Sequence, residues 1–292
     1  MSSINFNSSA TTALQNLRNV NGNLAKSQNV ISSGLRVSKA SDNAAYWSIA
    51  TTMKSDNKAL NAATDSLGIG AAKVDTAYAA MDSAKDVVNE LKAKLTTASE
   101  SSVDKTQVQL EIGKLQEQLS SIGQSASFNG ENWVVKAAGS STTVVDGFIR
   151  NSDGTVKITT ASYEAGSYAM FSSVSGGVGT GGVLGSVMSI SLSATTTQGQ
   201  IDTYMTTVET ALKKLTKGAA ALGALSKRID LQDQFSSKIS DAQKAGISRL
   251  VDANMEEESA KLSALQTQQQ LAVQSLSIAN SSSQQLLSLF RG

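Results

Sequence analysis

The sequence predicts a mainly α fold: a long coiled-coil helical bundle formed by both chain termini, with a small β-rich outer domain inserted in the middle. Three observations predict it. Apolar and small residues recur at alternating spacings of three and four near both ends of the 292-residue chain, the pattern that keeps one stripe of a helix against a partner. Aromatic residues make up 4% of the chain against 40% hydrophobic residues in all, so a core must be built from Ala, Leu, Val and Ile, which suits long helices packed side by side. Between residues 133 and 198 the helical period stops, and β-branched runs separated by turn residues replace it.

The first helix is predicted over about 8–31, with a seam of Ala10, Leu14, Leu17, Asn21, Leu24, Gln28, Ile31 and Leu35. Polar Asn21 and Gln28 stand where apolar residues would give more stability, and a polar seam position fixes register at a cost. Ser32, Ser33 and Gly34 end the helix. Ser41, Asp42 and Asn43 then offer N-cap oxygens for a second helix running to about residue 99. Its pattern is the cleanest in the chain. Leu60, Leu67, Val74, Met81, Val88 and Leu95 fill one row at heptad spacing, and Ala63, Gly70, Ala77, Ala84, Leu91 and Ala98 fill the other. Large residues on one row and small ones on the other allow close helix approach. A third helix starts near Asp104, where Asp104 and Gln107 resemble a capping box. Its seam is Val108, Ile112, Leu115, Leu119 and Ile122, and it is expected to lie antiparallel to the second. Phe128-Asn129-Gly130 signals a turn that closes this section.

In the middle segment, 144–150 and 155–160 read as two strands of a hairpin across Asn151-Ser152-Asp153-Gly154. Residues 168–174 and 187–193 read as further strands, with a glycine-rich surface loop, 176–182, between them. Gly177, Gly179 and Gly182 match G-x-G-x-x-G, but that fingerprint needs a strand before it and a helix directly after. A β-run follows instead, so nucleotide binding is set aside. Helical periodicity resumes with Ile201, Met205, Val208, Leu212, Leu215, Ala219 and Leu222, and continues more loosely through Leu225, Ile229, Phe235 and Ile239. The closing stretch, 248–290, carries a heptad seam: Ser248, Val251, Met255, Glu258, Leu262, Leu265, Gln269, Ala272, Leu276, Ala279, Ser283, Leu286 and Phe290. One helix of that extent is roughly 60–65 Å long. Glu258, Gln269 and Ser283 weaken the seam, so it needs partners. These readings divide the chain into 1–40, 41–132, 133–198, 199–246 and 247–292.

Composition excludes several functions. The chain has no Cys, His or Pro, and its formal net charge is +1. It therefore lacks a disulfide framework, a thiol nucleophile, and the commonest general base and metal ligand. No cofactor, metal site or catalytic residue is predicted. No basic run favours nucleic acid or an anionic membrane. The first residues lack the positive and apolar regions of a secretory signal, and no apolar stretch is long enough to span a membrane. Freedom from Pro removes slow isomerisation from refolding, which suits a chain that must unfold, travel and refold.

Three motifs, in the right order at both ends, resemble those of bacterial flagellins, in the variant carried by rhizobia and other α-proteobacteria. They are residues 32–50, SSGLRVSKASDNAAYWSIA; residues 127–130, SFNG; and residues 275–292, SLSIANSSSQQLLSLFRG. The likeness covers about 1–133 and 200–292. It implies a structural subunit that polymerises into the rotating flagellar filament, is exported unfolded by the flagellum's own type III route, and is no enzyme. The segments 1–40 and 247–292 become inner-core helices, packed through Leu14, Leu17, Asn21, Leu24, Gln28, Ile31 and Leu35 with Val251, Met255, Leu262, Leu265, Gln269, Leu276, Leu286 and Phe290. The segments 41–132 and 199–246 become the next layer, packed through Leu60, Leu67, Val74, Met81, Val88, Leu95, Ile112, Leu119, Leu212 and Leu222. The segment 133–198 becomes a variable head on the outside. Implied partners are the chain itself, sister flagellins, a chaperone for the C-terminus, the filament cap and hook-junction proteins.

At host-receptor positions the chain departs from the family. Ser41, Asn43 and Tyr46 replace the Lys, Asp and Gly of the peptide perceived by plants, and their changed charge and bulk count against perception. Val87 and Asn89 replace two Arg of the animal Toll-like receptor epitope, so weak or absent activation is expected. Two other readings stay open: a hook–filament junction protein, and a monomeric secreted coiled-coil adhesin or effector. Ser- and Thr-rich stretches at 139–143 and 159–162 are either glycosylation acceptors or plain solvated loops.

Overall fold

The computed structural model describes residues 7–289, with side chains to residue 281. The order of elements is α1 (Ser8–Ser33), α2 (Ala44–Ala98), α3 (Lys105–Ser125), β1 (Ser127–Phe128), β2 (Glu131–Asn132), β3 (Thr142–Arg150), β4 (Val156–Tyr163), α4 (Ala165–Tyr168), β5 (Ser173–Ser175), β6 (Val178–Thr180), α5 (Gly185–Met188), α6 (Gln198–Val251) and α7 (Met255–Leu289). The chain divides into two compact units: residues 58–240, and residues 1–57 together with 241–292.

The larger unit is built on the heptads of α2. Leu60, Leu67, Val74, Met81, Val88 and Leu95 are all buried, and so are Ala63, Ala77, Ala84, Leu91 and Ala98 on the companion row. Against them pack Val108, Ile112 and Leu119 of α3 and Ile201, Val208, Leu215 and Leu222 of α6. Ion pairs stitch the rims: Lys94 to Glu111 at 2.6 Å ties α2 to α3, and Lys92 to Glu209 at 2.6 Å ties α2 to α6. Asp104 caps α3 by accepting from the Thr106 amide at 2.8 Å, an N2 contact rather than the N3 contact of the expected capping box. Asn129 and Gly130 both have positive φ, 49° and 81°, which gives the β1–β2 hairpin its tight turn.

The β3–β4 hairpin follows the expected pairing, with one bulge between Val145 and Gly147. The rest of the middle segment differs from expectation. Residues 168–174 are not a strand: α4 ends at Tyr168, and only the last two residues join β5. Residues 187–193 are not one either. There the Gln116 side-chain amide donates to the carbonyls of Val187 and Ile190, each at 3.0 Å, and Gln109 accepts the Leu192 amide at 2.6 Å. Glutamines of α3 thus satisfy a backbone that would otherwise need a neighbouring strand. The glycine-rich stretch is no loose loop. Gly176 and Gly177, at φ 59° and 81°, make the turn of the β5–β6 hairpin, and Gly179 lies under the Phe171 ring, where a Cβ would come within 2.4 Å of a ring carbon. The short α5 after it is no dinucleotide helix.

Late in the chain, α6 runs without interruption to Val251, past the 246/247 division read from the sequence. Gly246 does not break the helix. A Cβ there would meet Met53 Cε at 3.1 Å, so the glycine serves close approach to α2. The break falls at 252–254, where Asn254 accepts from the Glu256 amide at 3.2 Å and Glu256, Glu257 and Glu258 complement the positive start of α7. In α6 the predicted inward Phe235 is exposed, while Ser236 and Ser240 take the buried positions.

Candidate functional site

The candidate site is the smaller unit, where the first and last helices meet. Gly34, in left-handed conformation at φ 70°, ends α1 and donates its amide to the Val30 carbonyl at 2.8 Å. The connector then turns onto the end of α6. The amides of Arg36 and Val37 donate to the Val251 carbonyl at 2.7 and 3.2 Å, the Arg36 guanidinium donates to the Leu250 carbonyl at 3.0 Å, and the Ala253 amide donates to the Gly34 carbonyl at 2.9 Å. The last carbonyls of α6 are thus satisfied, with a cation at the helix's negative end. Beneath them Val37, Ala50, Ile247 and Val251 form a small apolar cluster joined by Leu35, Met53 and Leu250.

Asp42 folds the connector on itself. Its carboxylate accepts the Lys39 and Ser38 amides at 3.0 and 3.1 Å, and these bonds hold its carboxyl below the ordinary aspartate range. Asn43 caps α2 by accepting the Tyr46 amide at 3.1 Å.

Beyond the junction α1 and α7 lie antiparallel. The Asn7 amide donates to the Ala279 carbonyl at 2.9 Å, and the Gln269 amide donates to Asn21 at 2.8 Å. Ser27 is fully buried beside Glu258. Neither the Ser27 hydroxyl nor Glu258 Oε1 has a well-formed hydrogen bond, yet the hydroxyl holds the Glu258 carboxyl below the ordinary glutamate range, with Lys261 adding to the effect.

On α7, Glu258, Leu262, Gln269, Ala272, Leu276 and Ala279 are half-buried and Leu265 is buried, as a seam should be, while Met255 is exposed. Val251 is buried at the end of α6. The Leu286 side chain and Phe290 lie outside the described residues. On α1, Leu17, Leu24 and Ile31 are half-buried, but Leu14, Asn21 and Gln28 are exposed. Ala13, Val20 and Ser27 stand in their places. The alternative row had the same spacing, and its small Ala13 and Ser27 gave no apolar signal. Leu35 is half-buried in its bridge to Asp252. Of the layer residues, Leu222, Ile112 and Leu119 are buried and Leu212 is half-buried.

Ser41, Asn43 and Asn89 are exposed. The Arg36 guanidinium sits 5.8 Å over the Tyr46 ring, and Val87 packs half-buried against the core. Among the described residues no group of three or more acidic, Cys or His side chains can hold a metal, and no helix is long and apolar enough to cross a membrane.

A feature of this pair bears on what it does. Of the apolar side chains described on α1 and α7, only Ala13 and Leu265 are buried. On α7, Leu271, Val273 and Ile278 remain 59%, 52% and 68% exposed. Such a helix pair presents more apolar surface than a finished domain does.

Comparison with known proteins gives the same direction. Residues 4–138 match the bacterial flagellin N-terminal helical region, and residues 205–290 match the bacterial flagellin C-terminal helical region. Aligned over the whole of both chains, the sequence is 43% identical to Flagellin C and 41% identical to Flagellin A of Rhizobium meliloti (strain 1021), and 44% identical to a flagellin of Brucella melitensis biotype 1. With both terminal regions matched and full-length relatives at this identity, the chain belongs to the bacterial flagellin family.

Proposed function

We propose that the chain is the structural subunit of a bacterial flagellar filament, a helical polymer of identical copies turned as a propeller for swimming. The observation that carries this reading is the incomplete α1–α7 seam with its exposed Leu271 and Ile278. Head-to-tail contacts that do not close build an open helix of subunits, and in such an array neighbours cover what one chain leaves bare. In the isolated subunit these helices gain little from packing, and they order fully when neighbours arrive. The inner-core layer is assigned to α1 and α7, through Leu17, Leu24, Ile31, Leu262, Leu265 and Leu276, with exposed Leu14 and Gln28 turned to neighbouring copies. The second layer is assigned to α2, α3 and α6, and residues 133–198 form the outer head.

The finished polymer lies outside the cell, and its further partners are sister flagellins, an export chaperone for the C-terminus, the cap and the hook-junction proteins. Removing 271–292 tests the reading: the truncated chain stays a soluble monomer that no longer extends filament seeds. Normal elongation by that variant overturns it.

A further inference from the structure

Asparagine followed by glycine is chemically unstable in an unfolded chain. The glycine amide nitrogen attacks the asparagine carboxamide carbon, and glycine permits the approach because it has no Cβ in the way. A bond forms between that nitrogen and Cγ, the carboxamide C–N bond breaks, and ammonia leaves with the proton of the glycine amide. Water then opens the cyclic imide at one of its two carbonyls, giving aspartate or isoaspartate. The chain has two such pairs, Asn21-Gly22 and Asn129-Gly130, and they lie in different surroundings.

Asn129-Gly130 is the turn of the β1–β2 hairpin, and that turn is anchored. Phe128 pairs with Glu131, the Glu131 carboxylate accepts from Lys73 at 2.9 Å, and the Asn132 amide donates to the Gly123 carbonyl at 2.7 Å. Asn21-Gly22 lies in the middle of α1, on its outer side. Asn21, Gly22 and Asn23 are all exposed, and a Cβ on Gly22 would meet nothing within 4 Å. Packing within the chain does not account for a glycine there, and it weakens the helix relative to alanine. From outside α1, the Gln269 amide of α7 donates to the Asn21 carboxamide oxygen at 2.8 Å.

In an intact helix the Gly22 N–H is bonded to the carbonyl four residues earlier, and Gln269 holds the Asn21 carboxamide toward α7. The nucleophile and its target are thereby kept apart. We infer that Asn21-Gly22 is a self-deamidation site, open in the free subunit and closed once neighbouring copies order α1. The inference rests on the polymer reading, under which a single chain holds the α1–α7 pair weakly, so that α1 opens locally at small cost. Conversion of Asn21 to isoaspartate adds a methylene to the main chain and puts the helix bonds that span it out of register. A converted subunit cannot seat α1, so free chains lose the ability to join a polymer as they age.

The test incubates full-length wild-type monomer and seeded filaments in the same buffer, then reads digested peptides by mass spectrometry. In the monomer, Asn21 is expected to convert ahead of Asn129. It should also precede Asn16, Asn19 and Asn23, which are exposed on the same helix but stand before Leu17, Val20 and Leu24. In filaments its conversion should be about tenfold slower or more, tenfold being the factor that about 1.4 kcal/mol of added ordering gives. Gly22→Ala should abolish it in the monomer over the same interval. When aged monomer is offered to seeds, converted chains should stay in the supernatant. Equal conversion of Asn21 in monomer and filament overturns the inference. So does Asn129 converting first, an unchanged rate in Gly22→Ala, or converted chains entering the pellet in proportion to the pool. Failure of the wild-type chain to extend seeds overturns the polymer reading instead, while the order of conversion within the monomer still tests the site.

Discussion

Two leucine truncations separate the roles of the two units. Leu91 is fully buried in the larger unit, among the α2, α3 and α6 seams. Leu91→Ala removes a well-packed side chain and costs about 2–5 kcal/mol. For a unit of this size that lowers the monomer's melting temperature by roughly 5–20 °C. Leu265 is the one large side chain buried on the described part of α7, in a seam that the single chain leaves incomplete. Leu265→Ala should leave the main melting transition of the monomer within about 2 °C of wild type, because that transition reports the larger unit. In the filament, where neighbours close the seam, the same change removes about 2–3 kcal/mol from each added subunit. The critical concentration for seeded elongation then rises roughly 30–150-fold, at about 1.4 kcal/mol per tenfold. Circular-dichroism melts and elongation assays read the two quantities independently. If Leu265→Ala lowers the monomer transition as much as Leu91→Ala and leaves elongation unchanged, the division of labour is refuted.

Three further outcomes follow from particular contacts. Glu258 has a folded-state pKa below its unfolded value, so its contribution to the α1–α7 seam is present above the ordinary glutamate range and is lost as pH falls through the depressed value; helix content from the terminal pair should drop in an acid titration, and Glu258→Gln should flatten that step. Gly70→Ala forces a Cβ onto Val144 and should cost about 1–3 kcal/mol in urea unfolding, whereas Gly22→Ala meets open space in α1 and should raise the helicity of the terminal pair, worth about 1 kcal/mol. The wild-type monomer should activate a Toll-like-receptor reporter cell weakly or not at all, with Val87→Arg plus Asn89→Arg raising the response; potent wild-type activation contradicts the expectation.

The helical part of the fold was legible because its signal is periodic over many turns. Every residue of the two α2 rows from Leu60 to Ala98 is buried. Legibility failed where one seam competed with another of equal spacing. On α1 the larger Leu14 outweighed Ala13, yet a helix that must approach α7 closely seats the small residue. The middle segment failed for a different reason. Residues 187–193 have strand composition, but Gln109 and Gln116, some 80 residues earlier in the chain, supply the hydrogen bonds, and no local pattern announces that. At the α6–α7 break a local signal exists: Asn254 followed by three glutamates is an N-cap and an acidic first turn. The heptad spacing continues through the break, from Val251 to Met255, and masked it.

The break at 252–254 ends α6 where the connector takes its terminal carbonyls. The junction is also the best-supported part of the smaller unit. It holds the buried Val37, Ala50, Ile247 and Val251, and the Asn57 amide donates to Gln243 at 3.3 Å between α2 and α6. From the junction outward, the α1–α7 pair is joined at Ser27 beside Glu258, at Asn21 with Gln269, and at Asn7 with Ala279. Along that path α7 leaves the apolar side chains of Leu271, Val273 and Ile278 exposed. Among the described residues of the pair, that stretch of α7 is where neighbouring copies have the most apolar surface to cover.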